Sequence, residues 1–180
     1  MDADVELATL TSLLDLDEFE VVESSWNRRE KVRRFTLVPK TSVGLCPHCH
    51  GISDEQHVCH DRVIEDLPMG GHRVELVARL WQFHCSACGK FFTPRLAALA
   101  EGAHATERLL ERLAELASRG DVATAAGFFG IPEKTVEGWY YQYLERKRKG
   151  PPLVPARLPV RSLGIDELSL KKDTVNSAVC

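Results

Sequence analysis

The sequence predicts an α+β protein in which a small β-rich domain precedes an all-α domain. Three observations support this fold class. Residues 19–95 hold short runs rich in β-branched and aromatic residues, with two Cys-x-x-Cys pairs among them. Residues 106–149 instead place apolar residues at helical spacing. A proline-rich segment then separates the helical region from the C-terminal residues, as expected for a spacer between domains.

The first half of the chain begins with a predicted helix and continues as strands. Leucines at positions 7, 10, 13 and 14 indicate a short helix over residues 4–16. Two strands follow, Phe19-Glu-Val-Val and residues 32–38, joined through the polar Asn27-Arg-Arg-Glu. A further strand over residues 74–83 is entered through the Gly70-Gly71 turn.

Three helices are predicted after residue 105, each with its own boundary signal. Thr106 is a candidate N-cap for a helix that ends at Gly120. Asp121 can cap a second helix, which runs to Phe129 and is broken by Gly130-Ile-Pro. The third helix is expected over residues 133–149.

These patterns divide the chain into five expected units. They are an N-terminal helix and hairpin (1–41), a cysteine-bearing β domain (42–100), a helical domain (104–149), a proline-rich linker (150–161) and the start of a further domain (162–180).

The charge distribution is uneven along the chain. The net charge is −3, but eight of the 26 acidic residues precede Arg28 and all 23 Lys and Arg lie from Arg28 onward. An acidic head on a basic body is typical of proteins that bind polyanions. No stretch is long and apolar enough to span a bilayer, and the acidic N-terminus does not resemble a secretory signal. We therefore expect a cytoplasmic protein without a membrane partner.

The two Cys-x-x-Cys pairs, Cys46-Pro-His-Cys49 and Cys85-Ser-Ala-Cys88, predict a shared metal site. Two such turns supply four thiolates, which complete a tetrahedral Zn²⁺ site and leave no position for water, so the zinc is expected to be structural. The backbone after each second cysteine needs a residue that tolerates positive φ, and Gly89 and His50 occupy these places. The long gap between the pairs leaves room for an inserted strand pair.

Other interpretations of the cysteines stay open at this point. They include a redox dithiol and unrelated buried cysteines. Histidines 48, 50, 57, 60 and 72 are further candidate ligands, but four cysteines already fill a tetrahedral site. Cys59 and Cys180 are expected to be free.

Residues 121–148 have the layout of a DNA-binding helix-turn-helix: a short helix with small residues, a turn containing glycine, and a longer helix. Ala125 and Ala126 allow the helices to cross closely, and Ile131 and Val136 are expected to fill the corner between them. On the last helix Val136, Trp139, Tyr140, Tyr143 and Leu144 are predicted to form the core face. The alternative is a plain helical bundle with a solvated charged face.

The opposite face of the last helix supplies the candidate DNA contacts. Lys134 and Tyr141 face outward, Gly138 permits close approach to a surface, and the basic run at the helix end is suited to phosphates. The candidate DNA-binding residues are Lys134, Thr135, Gly138, Tyr141, Arg146, Lys147, Arg148 and Lys149.

The order of these features resembles the transposases of the ISL-three insertion-sequence family over residues 19–179. Cys46-Pro-His-Cys49 is similar to the first zinc knuckle of that family, and Glu65-Asp-Leu-Pro-Met-Gly-Gly to its D-L-P-x-G-G turn. Residues 81–93 are similar to its second knuckle and the aromatic-Thr segment that follows. Leu163-Gly-Ile-Asp-Glu-Leu resembles the first strand of its ribonuclease-H-like catalytic domain.

The resemblance implies a DNA-recognising role at the terminal inverted repeats of a transposon. It also implies that Asp166 is the first carboxylate of a D-D-E triad, which in an intact catalytic domain holds Mg²⁺ for attack on a phosphodiester. The sequence ends 14 residues later, so we expect an incomplete triad and a chain that is inactive alone. Expected partners are double-stranded DNA, a second copy of the chain or an intact transposase.

Three alternatives remain at this stage. The chain could be one part of a split transposase whose companion supplies the missing carboxylates. It could be a stand-alone zinc-containing helix-turn-helix regulator of promoter-like targets. It could also be a zinc-stabilised protein-interaction module, which failure to bind DNA at low salt would favour.

Overall fold

A computed structural model describes residues 3–148 of the protein. Its elements, in chain order, are α1 (Ala3–Leu14), β1 (Phe19–Asn27), β2 (Val32–Pro39), β3 (Gly44–Leu45), β4 (Ile52–Ser53), β5 (Gln56–Met69), β6 (His72–His84), β7 (Phe91–Phe92), α2 (Glu107–Arg119), α3 (Val122–Phe129) and α4 (Glu133–Arg148). The α+β class is confirmed as a β-rich part followed by three helices. The linker and catalytic-strand predictions for residues 150–180, and Cys180, lie outside the described residues.

One five-stranded sheet organises the β-rich part. Its strand order is β1-β2-β6-β5, and β7 pairs with β6. The pairs β1–β2 and β5–β6 are antiparallel, whereas β2 and β6 run parallel, with Val32 opposite Arg73 and Leu37 opposite Ala78. Strands β3 and β4 form a separate two-stranded sheet. The long β5–β6 hairpin is the strand pair expected between the two cysteine pairs.

The predicted boundary between residues 1–41 and 42–100 does not separate two packed units. Phe19 and Leu37 lie in the same buried cluster as Ile64 and Leu76, because the parallel β2–β6 pairing joins both segments into one sheet. Hydrophobic periodicity shows where strands are but not which distant strands pair, so it did not indicate that residues 1–41 and 42–100 share a core.

The two hairpin turns lie at the same end of the sheet, since β2 and β6 both start there. At the β1–β2 turn, the side-chain oxygen of Asn27 accepts hydrogen bonds from the backbone N–H groups of Arg29 and Glu30, at 3.2 Å each, and Lys31 adopts a φ of 54°. At the β5–β6 turn, Gly70 and Gly71 have φ values of 60° and 75°. Two successive positive φ angles fit the right-handed twist of a hairpin and favour glycine.

The boundaries predicted for α2 and α3 are confirmed, whereas α1 ends at Leu14, two residues before its predicted end. The Thr106 hydroxyl accepts from the Leu109 N–H, and the Asp121 carboxylate accepts from the Thr124 N–H at 2.6 Å. Hydrogen bonding by the backbone N–H of Thr124 is also the largest cause of the lowered pKa of Asp121. Gly120 ends α2, and Gly130 ends α3 in the left-handed conformation with a φ of 67°. No helix among residues 3–148 has the length and apolarity needed to cross a membrane.

The three helices share one core, in which one predicted member is missing. The buried residues include the expected pair Ala125 and Ala126 at the helix crossing, and Ile131, Val136 and Trp139 around the turn. Tyr140 and Tyr143 pack against this core as partly buried residues. Leu144 was predicted to join them but is 42 % exposed. Helical spacing assigns a residue to a face of the helix, but it does not show how far along that face the other helices continue to cover it.

A buried ion pair joins the helices to the sheet. Asp66 on β5 accepts hydrogen bonds from the Thr106 hydroxyl, at 2.6 Å, and from the guanidinium of Arg108. The same guanidinium donates to the backbone oxygen of Leu14 at the end of α1. Hydrogen bonding to Asp66 is the main reason that the pKa of Arg108 is raised. The Asp66–Arg108 ion pair therefore connects three separate segments of the chain.

Candidate zinc site and nucleic-acid interface

The two cysteine pairs adopt the same local turn. In the first, the N–H of His50 donates to the oxygen of Cys46 at 2.9 Å and the N–H of Cys46 donates to the oxygen of Gly51 at 2.8 Å. In the second, Gly89 donates to Cys85 at 2.7 Å and Cys85 donates to Lys90 at 2.9 Å.

Each turn closes through a residue with positive φ, as the sequence predicted. The φ values are 59° at His50 and 69° at Gly89. Glycine is the residue most easily accommodated at a left-handed position. In the first turn His50 takes this place, because histidine tolerates a left-handed backbone better than most side chains.

The four sulfurs converge to a spacing that fits one zinc ion. They all lie within 4.8 Å of one another, and the Sγ–Sγ distances are 3.7 Å for Cys46 and Cys88 and 3.5 Å for Cys49 and Cys85. Tetrahedral zinc with Zn–S bonds of about 2.3 Å separates its sulfurs by about 3.8 Å. Among residues 3–148, this is the one group of His, Cys, Asp or Glu side chains that could hold a metal, and it contains no histidine.

The ionisation of the thiols also favours a bound cation. Burial raises the pKa of Cys46, but hydrogen bonds from the backbone of His48 and Cys49 outweigh burial and lower this pKa to about 7. At Cys49 the backbone hydrogen bond from Gly51 lowers the pKa, but the neighbouring sulfurs, led by that of Cys85, together with burial raise it to about 12. The four thiols therefore do not all ionise together without a metal, and zinc binding would displace their protons and offset part of the thiolate charge.

The surroundings of the cluster are those of a structural site. Cys46 and Cys85 are buried and pack against Phe83 and Phe92, whose rings stack with centroids 5.9 Å apart. With four protein ligands the metal has no open position for water, so its expected role is to hold the two turns together. Cys59 lies exposed on β5 as a free thiol, as predicted.

The predicted DNA-contact residues at the start of α4 share an exposed surface. Lys134 and Gly138 are exposed, Tyr141 is 57 % exposed, and Thr135 is half-buried. A Cβ added at Gly138 would find nothing within 4 Å, so this glycine serves no packing contact among the described residues. Glycine within a helix costs about 0.5–1 kcal/mol relative to alanine, and Gly127 on α3 is equally free of packing contacts, so what distinguishes Gly138 is its position beside Lys134 and Tyr141.

The basic residues at the end of α4 are less available for binding DNA than the sequence suggested, because two of them contact other side chains of the protein. Arg146 forms a two-pronged ion pair with Glu107 on α2, with nitrogen–oxygen distances of 2.5 and 3.2 Å. The Lys147 ammonium lies 5.4 Å from the centre of the Tyr143 ring. Arg148 is exposed, and Lys149 and Asp166 lie outside the described residues.

A second cationic surface was not identified from the sequence. It lies at the β1–β2 turn, where Trp26 is exposed among Arg28, Arg29, Lys31 and Arg33. The signal was present, because five Lys and Arg residues fall within residues 28–34 beside a tryptophan. Basic runs interleaved with aromatic residues are typical of nucleic-acid-binding surfaces.

Comparison with known protein families supports the assignment of the cysteines. Residues 42–88 match the family model described as the zinc-finger of transposase IS204/IS1001/IS1096/IS1165. This match contains all four cysteines and the β5–β6 hairpin between the two pairs. No significant match was found among curated proteins or among solved structures.

Proposed function

We propose that this chain, whose residues 42–88 carry a zinc finger of the ISL-three transposase type, binds double-stranded DNA with α4 as its recognition helix. The observation that carries the proposal is the exposed surface of α4 formed by Lys134, Gly138 and Tyr141. It combines a cation, an aromatic hydroxyl and a glycine with no packing role inside the chain. A helix with these features at its N-terminal half is suited to the major groove.

The arrangement of α2, α3 and α4 supports this role. Helix α3 ends at Gly130 in a left-handed conformation, and α4 begins three residues later at Glu133. The buried residues Ala125, Ile131 and Val136 fix the angle at this corner. A short helix, a tight turn and a longer exposed helix are the parts of a helix-turn-helix, in which the second helix reads base edges.

The mixed charge on α4 indicates recognition through specific hydrogen bonds. Glu137 and Glu145 are exposed on the same helix as Lys134. Lysine can donate to the O6 and N7 atoms of guanine, and a carboxylate can accept from the amino group of cytosine. We expect this helix to contribute base discrimination, while most of the attraction to phosphates comes from elsewhere on the protein.

Zinc binding would contribute indirectly to DNA recognition, by stabilising the β-rich part to which the helices are joined. The ion would hold the ends of the β3–β4 and β6–β7 segments together, and the sheet they border is joined to α2 through Asp66 and Arg108. We extend the proposal to the terminal inverted repeats of an insertion sequence, with self-association or an intact transposase as further partners. Asp166 is assigned as one carboxylate of a Mg²⁺-binding D-D-E site by resemblance alone.

A protein-interaction module is the alternative that one observation favours. Phe128 on α3 is 71 % exposed, and it borders a groove of about 820 Å³ between α2, α3 and the β5–β6 turn. Large exposed aromatic residues beside a groove are frequent in protein interfaces. Failure of the zinc-loaded chain to bind any DNA at low salt would favour this alternative.

Replacing Gly138 with alanine is expected to change stability and DNA affinity in opposite senses. The added methyl group meets no atom within the described chain, so the helix gains about 0.5–1 kcal/mol of stability. The same methyl group should weaken binding, because it stands where α4 approaches the DNA. Urea denaturation and fluorescence anisotropy on a duplex enriched from a random pool measure the two effects.

Gly127→Ala is the matched control for this experiment. Gly127 is also a helical glycine, it lies on α3, and a Cβ there would again meet nothing within 4 Å. Gly127→Ala should stabilise the protein by a similar amount and leave the dissociation constant unchanged. Equal affinities for Gly138→Ala and the unmodified chain would remove the main support for α4 as the recognition helix.

A further inference from the structure

The end of the sheet that carries both hairpin turns presents a dense group of cations. Arg28, Arg29 and Lys31 lie in the β1–β2 turn and Arg33 follows on β2, with Glu30 as the single acid within the turn. Trp26 and His72 lie beside them. We call Trp26, Arg28, Lys31, Arg33 and His72 the sheet-end cluster.

Trp26 is the centre of this cluster. The guanidinium carbon of Arg28 lies 4.5 Å from the centre of the indole ring and that of Arg33 lies 5.0 Å from it. The ring of His72 meets the indole edge-on, with centroids 5.3 Å apart. The indole is 44 % exposed, so the ring positions two guanidinium groups at the surface rather than filling a core.

The cations of the cluster differ from their neighbours in having no acidic partner. Arg34 pairs with Glu75 at 2.6 Å, and Arg73 pairs with Glu65. Among residues 3–148, neither Arg28, Lys31 nor Arg33 forms an ion pair within 4 Å. Like charges that converge without a counter-ion repel each other, and an anion bound between them relieves that repulsion.

The backbone of the turn holds these cations in defined positions. The Asn27 side chain closes the turn with two hydrogen bonds, and the N–H of Arg73 donates to the oxygen of Lys31 at 3.0 Å. The sheet end is thus tied to β6 as well as to its own hairpin. A preorganised group of cations loses less conformational entropy when it binds an anion.

The sheet-end cluster adjoins the turn of the helix-turn-helix. His72 of the cluster is followed by Arg73, whose side-chain carbons lie 3.5 and 3.8 Å from the position of a Cβ on Gly130. His72, Arg73, Phe128 and Gly130 line the same groove. His72, at one edge of the cluster, therefore lies close to the turn between α3 and α4, near the end of the helix proposed to enter the major groove.

We infer that the sheet-end cluster is a second DNA-binding surface, which binds phosphates of the duplex next to the segment read by α4. That these phosphates lie next to the segment read by α4 rests on the proposed function, whereas the affinity of the cluster for phosphates does not. The partner is double-stranded DNA because Arg28, Arg29, Lys31 and Arg33 are spread along the β1–β2 turn and the start of β2, which suits a repeating line of phosphates. The cluster also supplies the positive charge that the mixed face of α4 and the engaged Arg146 do not.

The test uses the zinc-loaded full chain and a pool of random-sequence duplexes of about 40 base pairs, since phosphate binding is independent of sequence. Arg28→Gln/Arg33→Gln removes two cations. Each phosphate contact contributes about 0.9 to the magnitude of the slope of log K against log salt, where K is the association constant. Loss of two contacts should therefore reduce this magnitude by about 2 and raise the dissociation constant near 0.1 M salt roughly 60-fold. Melting curves and zinc content verify that the variant is folded.

Two controls separate charge loss at the cluster from general charge loss. Arg28→Lys/Arg33→Lys keeps both charges and should retain most of the salt dependence. Arg79→Gln/Arg95→Gln removes two exposed arginines that pair with Asp61 and Glu101 away from the cluster, and it should change the dissociation constant less than threefold by this account.

The outcomes distinguish this inference from the proposed function. An unchanged salt slope for Arg28→Gln/Arg33→Gln overturns the inference, while a loss of sequence preference in α4 variants would still support recognition by α4. A reduced slope with no effect of α4 variants supports the sheet-end cluster and overturns α4 as the reader. Absence of DNA binding by the unmodified chain at low salt overturns both.

Discussion

Replacing Cys85 with serine is expected to abolish stoichiometric zinc binding and to unfold the cysteine-bearing end of the sheet. Cys85 is buried against Phe83 and Phe92, and its sulfur lies 3.5 Å from that of Cys49. Loss of one ligand opens the tetrahedral site, and the remaining cluster has little apolar area to replace the metal. We expect a loss of more than about 4 kcal/mol in the free energy of unfolding of this segment.

Zinc content and hydrogen exchange measure this effect. Amides of β3, β4 and β7 should lose protection, whereas those at the centre of β2, β5 and β6 should keep it, because their core around Leu37 and Leu76 does not depend on the metal. Cys59→Ser is the control, since Cys59 is exposed and outside the cluster. Full zinc content and unchanged protection in Cys85→Ser would contradict the four-cysteine site.

The pH dependence of the metal site has a definite sign. Zinc binds thiolates, so binding releases protons and becomes weaker as the pH falls. The stability supplied by the metal is present at neutral and higher pH and is lost on acidification. A chelator at neutral pH should reproduce the hydrogen-exchange pattern of Cys85→Ser, because both remove the same constraint.

Replacing Asp66 with alanine is expected to cost about 2–3 kcal/mol in the free energy of unfolding, because two hydrogen-bonded partners lose their charged acceptor while the partly exposed Arg108 can still be hydrated. The side chain of Asp66 is 1 % exposed. Its loss leaves the Thr106 hydroxyl and the Arg108 guanidinium without their acceptor, at the contact between β5 and α2. Urea denaturation of the zinc-loaded chain measures this cost.

Asp61→Ala is the matched control on the same strand. Asp61 pairs with Arg79 at 3.7 Å, and both side chains are about half exposed, so the loss should be below about 1 kcal/mol. A similar small loss for Asp66→Ala would show that the buried ion pair does not join the sheet to the helices. Asp66 belongs to the D-L-P-x-G-G segment, for which this ion pair provides a structural role.

Local features of the fold could be predicted from the sequence because local chemistry determines them. The side chains of Thr106 and Asp121 accept hydrogen bonds from backbone N–H groups in the first turns of α2 and α3. Gly130 ends α3 because its backbone adopts the left-handed conformation. The same holds for the cysteine turns, in which the spacing and the positive φ at His50 and Gly89 are properties of a few consecutive residues.

Features that depend on distant residues were not predicted. The parallel pairing of β2 with β6 joins residues about 40 positions apart, and no local pattern indicates it. The partners of Asp66 and Arg146 lie at similar separations, so the sequence did not indicate that the guanidinium of Arg146, a candidate DNA contact, pairs with Glu107. The sequence shows Trp26 next to a basic run, but the contact of Trp26 with His72, which lies near the turn between α3 and α4, depends on the same long-range pairing.

Whether this protein recognises DNA can be decided by selecting binding sites from a random duplex library with the zinc-loaded chain. We expect enrichment of a defined motif, and weaker enrichment after Lys134→Gln or Tyr141→Ala, because these exposed side chains lie on the face of α4 that we propose reads the DNA. Correspondence of the motif to the inverted ends of an insertion sequence would identify the target. No enrichment by a folded, zinc-loaded chain would contradict DNA recognition by this protein.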